Sequence, residues 1–179
     1  MATCRFIPAR DWAGTGIPID PFYLTWKARE YGISTRFIEL AGEVNTFMPE
    51  YVVTKTILAL NSVGKAVKGS HILILGVAYK KNVDDMRESP ALELMERLVN
   101  LGAVVSYSDP HVPALPKLRK YGFDMESIPL TPSGLSESDL VLLATDHDRF
   151  DWKMVKEYAK LVVDTRGVYE PDGKKFFRA

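Results

Sequence analysis

The sequence predicts an α/β chain with a doubly wound parallel sheet, preceded by a long helix. Residues 71–78 (HILILGVA) form a near-continuous apolar run, as expected for a strand that is buried on both faces. Strand-like and helix-like segments alternate from there to the end of the chain. Such alternation favours right-handed crossovers and a parallel sheet covered by helices on both faces.

The individual elements follow from local signals. We expect further strands in apolar segments, and a short one could lie at 128–130. Ser89 is a good helix N-cap with Pro90 in the first position, and Gly102 is a typical stop for that helix. Strands are predicted at 104–108, 140–145 and 161–164, and helices at 113–121 and 151–159.

Residues 17–67 are predicted to be helical. A short helix is expected over 22–31, closed by Gly32. Residues 37–61 carry apolar side chains at three- or four-residue spacing, and Pro49 implies a kink or the start of a second helix. Either this long helix packs on its own domain, or it pairs with a second subunit or another domain.

The composition of the chain limits the partners and cysteine-based sites that we expect. Lysine plus arginine and aspartate plus glutamate both number 23, so charge favours neither nucleic acid nor an anionic membrane as a partner. The chain has no apolar run of about 20 residues and no apolar core of a signal peptide near its start. Cys4 is the only cysteine, which excludes an internal disulfide and a cysteine metal cluster. We expect a cytoplasmic protein.

Candidate ligand-binding residues follow the predicted strands. Ligands of a parallel sheet bind at the carboxyl ends of its strands, where segments 76–85, 109–111 and 164–166 are expected. Gly76 lacks the further glycines of a dinucleotide-binding turn, so the signal for NAD in this sheet is weak. Lys80 and Arg166 could instead bind a phosphate or sugar hydroxyls. Alternatively, both are solvated or paired with neighbouring aspartates.

Other polar residues are less specific. Asp109 could hold a ribose at the end of the second strand, but with Pro110 after it we favour a simple turn. His71, His111 and His147 share neither metal-ligand spacing nor a triad pattern, so no metal site is predicted. We interpret His147 as a residue at the start of a helix.

Three segments resemble the UDP-glucose/GDP-mannose dehydrogenase family. Residues 76–98 (GVAYKKNVDDMRESPALELMERL) carry its glycine, aromatic-lysine pair, paired aspartates, arginine and Ser-Pro. Residues 16–32 (GIPIDPFYLTWKAREYG) resemble the segment after its catalytic cysteine, and residues 162–167 (VVDTRG) resemble its closing strand. The sequences of residues 19–32 and 145–152 most resemble the bacterial branch of the family, which oxidises UDP-N-acetylglucosamine or its epimer.

The resemblance implies a domain plan. Family members have an NAD-binding Rossmann domain, a central helical part with a dimerising helix, and a Rossmann-like domain that holds the UDP-sugar. On this plan residues 17–67 are a helical central-domain remnant, and residues 68–179 are the Rossmann-like UDP-sugar-binding domain. The helix 37–61 would then form a homodimer.

The resemblance also implies an activity and residue roles. The family oxidises the sugar C6 alcohol to an acid in two NAD-dependent steps, with a cysteine thioester between them. By matching positions, Asp20 is a catalytic residue that helps to activate water. Tyr79, Lys80 and Arg166 match substrate-binding residues, and Arg87 matches an arginine that approaches NAD.

The catalytic cysteine itself is missing, because its position is occupied by Gly16. The codons CCG GCC CGG GAC TGG GCG GGC ACT would encode Pro8 to Thr15, and from their third base they spell the family motif GPGLGGH. Dropping one base of the next codon gives TGC, a cysteine codon, and restores the register at Ile17. We therefore expect residues 1–16 to be an irregular, partly out-of-frame segment, which resequencing of the DNA would test.

Together these observations predict a fragment of a nucleotide-sugar 6-dehydrogenase. Its substrate would be UDP-N-acetylglucosamine, UDP-N-acetylmannosamine or UDP-glucose. The fragment itself is expected to be inactive, because the cysteine and the NAD domain are missing. The alternative hypothesis is a non-catalytic UDP-sugar-binding or dimerisation module.

Overall fold

A parallel sheet with helices on both faces organises the chain, which confirms the predicted fold class. The computed structural model describes residues 20–87, 89–115 and 122–179. The helices are α1 (Asp20–Glu30), α2 (Arg36–Asn61), α3 (Pro90–Asn100), α4 (Pro132–Glu137) and α5 (Trp152–Tyr158). The strands are β1 (His71–Leu75), β2 (Val104–Ser108), β3 (Leu140–Leu143), β4 (Val162–Asp164) and β5 (Phe176–Arg178).

The strand order is β2-β1-β3-β4-β5, and every neighbouring pair is parallel. Successive side chains of a strand point to opposite faces, so each face of the sheet builds its own core. Ile72 and Ile74 pack with residues of α2 and α3 on one face. Leu73 and Leu75 pack with Leu135 of α4 and Val155 of α5 on the other. Burial on both faces is why β1 is apolar from Ile72 to Leu75.

Side-chain caps fix the starts of two helices, and the cap at Ser89 was expected from the sequence. The Ser89 hydroxyl accepts a hydrogen bond from the amide of Ala91, and Pro90 occupies the first turn of α3. The Asp151 carboxylate accepts from the amides of Lys153 and Met154 at the start of α5. These caps satisfy amides that the first turn of a helix leaves without partners.

The long helix α2 is continuous through Pro49, so no second helix begins there. Its second half packs on the sheet, and Val52, Ala59 and Leu60 are fully buried. Its first half lies against α1, where the Phe22 ring contacts the backbone at Gly42. The remainder of that half is exposed. No helix in the described part of the chain is both long enough and apolar enough to cross a membrane.

One element prediction is wrong, and another is wrong in its first three residues. In the predicted helix 113–121, residues 113–115 are not helical, because Ala114 forms an antiparallel bridge with Glu126, while 116–121 lie outside the described residues. The predicted strand 128–130 is absent. The Ile128 amide does donate to the Tyr107 carbonyl at 2.9 Å, but Pro129 has no N–H to extend the pairing.

Two elements were not predicted. Helix α4 contains one buried apolar residue, Leu135, so its six residues show no helical periodicity. The sequence signals that could have predicted this helix are its N-cap, Thr131, and Pro132 in its first turn. Strand β5 has three residues, and no helix separates it from β4. The predicted irregular segment 1–16 lies outside the described residues, and the predicted domain limits stay a prediction.

Candidate functional site

The carboxyl ends of β1 and β3 mark the position where a ligand is expected. The chain runs from β1 outward to β2, and then returns to the other side of β1 to form β3. Connections that diverge in this way bound the crevice in which open α/β sheets bind ligands. Three connecting segments follow the strands here, 76–89 after β1, 144–151 after β3 and 165–175 after β4.

Gly76 allows the first of these segments to cross closely over the end of β3. Its φ is +79°, and a Cβ atom at this position would lie 2.4 Å from the carbonyl oxygen of Thr145. The Thr145 hydroxyl in turn donates to the carbonyl of Ala78 at 2.7 Å. The segment 76–85, which we name the β1 loop, is therefore held against the β3 end by both backbone and side chain.

Arg166 also bonds the residues that follow β3. Its Nε donates to the Ala144 carbonyl at 2.6 Å, and its Nη2 lies 3.4 Å from the Thr145 hydroxyl. The side chain is 10% exposed, and burial lowers the pKa of the guanidinium, although Asp146 at 4.0 Å opposes that shift. The guanidinium does not pair with Asp164, whose Oδ1 accepts the backbone amide of Arg166.

Lys80 and Tyr79 lie on the β1 loop. The ammonium of Lys80 is exposed and lies 5.2 Å from the centre of the Tyr79 ring, within cation–π range. The amide of Tyr79 donates to the Asp85 carbonyl at 2.9 Å, which closes the loop. Because Thr145 bonds both Ala78 and Arg166, the structure brings the three predicted substrate-binding residues to one rim of the sheet.

The next residues of the loop are tied to the β3 side. The ammonium of Lys81 lies 2.5 Å from the Asp148 carboxylate. Asn82 donates to that carboxylate at 2.6 Å and accepts the Asp148 amide at 3.0 Å. Asn82 is also the one non-glycine residue with positive φ, +61°, in the described part of the chain. Asparagine tolerates this conformation better than most residues.

Asp109 is a functional candidate that the sequence interpretation missed. It was expected to form a turn, and its Oδ1 does accept the amides of His111 and Val112. Its Oδ2 also accepts the amides of Val77 and Ala78, at 2.7 and 3.2 Å. Burial raises the pKa of this carboxyl, but hydrogen bonds from His147 and these amides outweigh burial and hold it below its usual value.

His147 completes this arrangement. Its Nε2 lies 3.1 Å from Asp109 Oδ2, and its Nδ1 accepts the amide of Asn82 at 2.9 Å. An imidazole nitrogen that accepts an N–H carries no proton, so Nε2 bears the hydrogen and donates to the carboxylate. His147 begins no helix, because Asp151 is the N-cap of α5. Both residues follow strands that flank β1, and that position was the signal available in the sequence.

Comparison with known proteins identifies the domain. Residues 73–171 match the UDP binding domain of the UDP-glucose/GDP-mannose dehydrogenase family. This chain belongs to that family. Since the match covers the β1 loop and Arg166, the family's UDP binding domain contains the rim described above.

Individual relatives agree on the family but differ in the sugar named. A UDP-N-acetyl-D-mannosamine dehydrogenase of Methanococcus maripaludis is 33% identical over 91% of this chain. An NDP-N-acetyl-D-galactosaminuronic acid dehydrogenase of Ralstonia nicotianae is 32% identical over 90% of the chain. The structure of a UDP-D-ManNAc dehydrogenase from Pyrococcus horikoshii matches 92% of the chain with a TM-score of 0.74 and 26% identity. This chain spans 36%, 36% and 38% of those proteins, respectively.

Two further residues had roles implied by the family resemblance. Arg87 is exposed and makes a paired hydrogen bond to the Asp85 carboxylate, with Nε at 3.0 Å and Nη2 at 2.7 Å. These hydrogen bonds lower the pKa of Asp85, although burial opposes them. Asp20 opens α1, whereas Gly16 lies outside the described residues. The role of each therefore stays a prediction.

One cleft does not coincide with the predicted rim. It has a volume of about 390 Å³ and lies among segments 108–113, 127–130 and 149–154, and neither Lys80 nor Arg166 lines it. The family match covers both places, and we favour the rim because the two predicted phosphate-binding cations lie there. In the described ranges no three histidine, cysteine or acidic residues are grouped so that they could hold a metal ion.

Proposed function

We propose that this chain is the UDP-sugar-binding part of an NAD-dependent nucleotide-sugar 6-dehydrogenase. The observation that carries this proposal is that the Thr145 hydroxyl bonds the carbonyl of Ala78, two residues before Lys80, and also lies 3.4 Å from Arg166 Nη2, at the switch point of the sheet. The match of residues 73–171 to the family's UDP binding domain supports it. The family resemblance leaves UDP-N-acetylglucosamine, UDP-N-acetylmannosamine and UDP-glucose as candidate substrates, and the relatives do not decide among them because they are named for different sugars.

The two cations suit different parts of such a ligand. The Lys80 ammonium is an exposed point charge with three donors, and it can follow a phosphate or a sugar hydroxyl. The Arg166 guanidinium is nearly buried, and its Nε is already bonded to the Ala144 carbonyl. Its terminal nitrogens therefore approach a ligand in a fixed orientation, and burial strengthens each bond that they make to a phosphate. Tyr79 holds the lysine over its ring.

The same loop does not suit the pyrophosphate of NAD. A dinucleotide-binding turn has three glycines and leads directly into a helix, whose amides meet the pyrophosphate. Here Gly76 is followed by Val77, Ala78 and Tyr79, and no helix begins until Pro90. We therefore propose that NAD is held by residues outside this sheet, with Arg87, two residues after the β1 loop, as a further contact.

We further propose that these 179 residues do not complete the oxidation by themselves. Asp20 matches the family's water-activating aspartate, but Gly16 occupies the position of the nucleophile. Glycine has no side chain that could form a thioester, so the aldehyde could not be carried to the acid through one. Mixing the chain with UDP-sugars and NAD should give no UDP-uronic acid in the mass spectrum, and detection of that acid would refute this part of the proposal.

Calorimetric titration with UDP, UDP-glucose and UDP-N-acetylglucosamine tests the binding site directly. Lys80→Ala and Arg166→Ala each remove a charged hydrogen-bond donor to the phosphates. We expect each to raise the dissociation constant of UDP about tenfold or more, since such bonds contribute roughly 1.5–3 kcal/mol. Thermal unfolding of Arg166→Ala should be measured in parallel, because its side chain also bonds the Ala144 carbonyl.

Lys81→Ala is the matched control for this experiment. It removes the same charge from the neighbouring position, but that ammonium is already paired with Asp148. UDP affinity in this variant should stay within about twofold of wild type, because a paired surface charge contributes little. Equal UDP affinity in wild type, Lys80→Ala and Arg166→Ala would show that the site is elsewhere, and the cleft lined by Arg149 would be examined next.

We also propose that the chain forms a homodimer through α2. Phe37, Leu40, Val44 and Phe47 lie on one face of its first half, and all four are exposed. We name them the exposed row. A row of large apolar side chains on one helix face is typical of a surface that another chain covers. Sedimentation equilibrium over a range of protein concentrations should show a dimer, and a strictly monomeric mass at all of them would exclude it.

A further inference from the structure

A buried acid-base pair supports the β1 loop at two separate points. Asp109 Oδ2 accepts the amides of Val77 and Ala78, which precede Tyr79. His147 Nδ1 accepts the amide of Asn82, which lies two residues after Lys80. The two side chains bond each other at 3.1 Å, and both are fully buried. The pair therefore bonds the loop on either side of the two predicted ligand-binding residues.

The positions of the two residues in the sheet explain how they reach this loop. Asp109 follows β2 and His147 follows β3, while β1 lies between those two strands. The β1 loop thus runs over a bond that links its two neighbours. A shift of either neighbour would be transmitted to Val77, Ala78 or Asn82 through a hydrogen bond, because all three amides bond directly to the pair.

We propose that Asp109 and His147 are positioning residues that hold Tyr79 and Lys80 in the orientation that binds the UDP-sugar. This inference rests on the proposed function. The pair does not itself touch the ligand, since neither side chain is exposed. It acts through the backbone of the β1 loop, and it determines how well the Lys80 ammonium is aligned with a phosphate.

The geometry suits positioning because the pair restrains the least favourable backbone in the loop. Asn82 has a φ of +61°. A left-handed residue of this kind is retained only where its surroundings hold it. Its amide bonds His147, and its side chain bonds Asp148 in both directions. Loss of the His147 bond would leave this turn held by surface contacts alone.

Two substitutions separate the two bonds of the imidazole. His147→Asn places an amide oxygen near the position of Nδ1, and it can still accept from Asn82. His147→Gln reaches the position of Nε2, so it can still donate to Asp109 but leaves Asn82 without its acceptor. Both variants are uncharged and polar, and thermal unfolding would establish that each is folded before any other measurement.

Amide hydrogen exchange and UDP titration on the 179-residue chain then test the proposal. In His147→Gln the Asn82 amide should exchange at least about tenfold faster than in wild type, and the dissociation constant of UDP should rise about tenfold. In His147→Asn both quantities should stay near wild type.

His111→Asn is the matched control. Its ring lies 4.9 Å from that of His147, but its buried Nε2 makes no hydrogen bond to a described residue. UDP affinity should be unchanged in this variant. If wild type binds UDP and His147→Gln binds it equally well, the positioning role is refuted while the binding site stands. If wild type does not bind UDP, the proposed function fails and this inference fails with it.

Discussion

The two halves of α2 have the same sequence pattern but different environments. In the second half, Val52 and Leu60 are 0% exposed, because they pack on the sheet. In the first half, Phe37 is 89% exposed and Phe47 is 56% exposed. Both halves place apolar residues on one helical face. A helical pattern of apolar residues therefore predicts that a face will be covered, but it does not predict what covers it.

This difference separates two regions of the molecule. We name α2 from Met48 onward, together with the sheet domain on which it packs, the finished region, and we name α1 with the part of α2 before Met48 the unfinished region. From Met48 onward, the helix belongs to a core that the chain builds by itself. Before that point, α1 covers only part of the helix, through Phe22 against Gly42. The exposed row is the apolar face of this half that α1 leaves uncovered. We expect substitutions in the finished region to destabilise the folded chain and those in the exposed row to alter its association.

The largest effect should come from Gly76→Ala, at the centre of the finished region. Its positive φ disfavours any L side chain, and the new Cβ would overlap the Thr145 carbonyl. Together these should lower the free energy of unfolding by about 4 kcal/mol, measured by urea denaturation. Gly64→Ala is the control, because its φ is +70° but no atom lies within 4 Å of the new Cβ. Equal losses in both variants would mean that the close approach to Thr145 is unimportant.

The second prediction compares two leucines of the same helix. Leu60 is fully buried, so Leu60→Ala should lower the free energy of unfolding by about 3 kcal/mol, from lost burial and the cavity left behind. Leu58 is 54% exposed, and Leu58→Ala should cost less than about 1 kcal/mol. Urea denaturation of both variants measures the contrast. Similar losses would show that the second half of α2 is not part of the core described here.

The third prediction concerns the pH dependence that Asp109 gives to the finished region. Its folded pKa lies below the unfolded value, so its ionised form stabilises the fold above about pH 4. That stability is lost as the pH falls through the folded pKa. Asp109→Asn should therefore be less stable than wild type by about 2 kcal/mol at neutral pH, and the gap should narrow in acid. A gap that is constant with pH would show that the carboxylate charge is not the cause.

Much of the finished region could be predicted, because each element carries its own local signal. Strand β1 is apolar on both faces, α3 has Ser89 and Pro90 at its start, and α5 has Asp151. The sheet then follows from the alternation of elements, since parallel strands need crossovers. The placement of Lys80 and Arg166 in loops at one edge of the sheet could also be anticipated, because both follow parallel strands.

The remaining features depend on contacts between distant segments. Asp109 and His147 are 38 positions apart, and their bond exists only because β2 and β3 both flank β1. Followed by proline, Asp109 resembles any turn residue until the amides of Val77 and Ala78 are placed beside it. Strand β5 likewise depends on β4 as its neighbour, since three residues carry no periodic signal. Sequence patterns report local preference and do not contain these pairings.

The smallest effect on stability should come from Phe37→Ser, and this variant tests the unfinished region. Phe37 is 89% exposed, so its replacement should change the free energy of unfolding of the monomer by less than about 0.5 kcal/mol. The dissociation constant of the proposed dimer should nevertheless rise, because a large apolar group is lost from the interface. Arg36→Ser, one position earlier, is the control and should leave the mass distribution in sedimentation equilibrium unchanged. A dimer of equal strength in Phe37→Ser would place the interface elsewhere, and the exposed row would then belong to a contact with another domain.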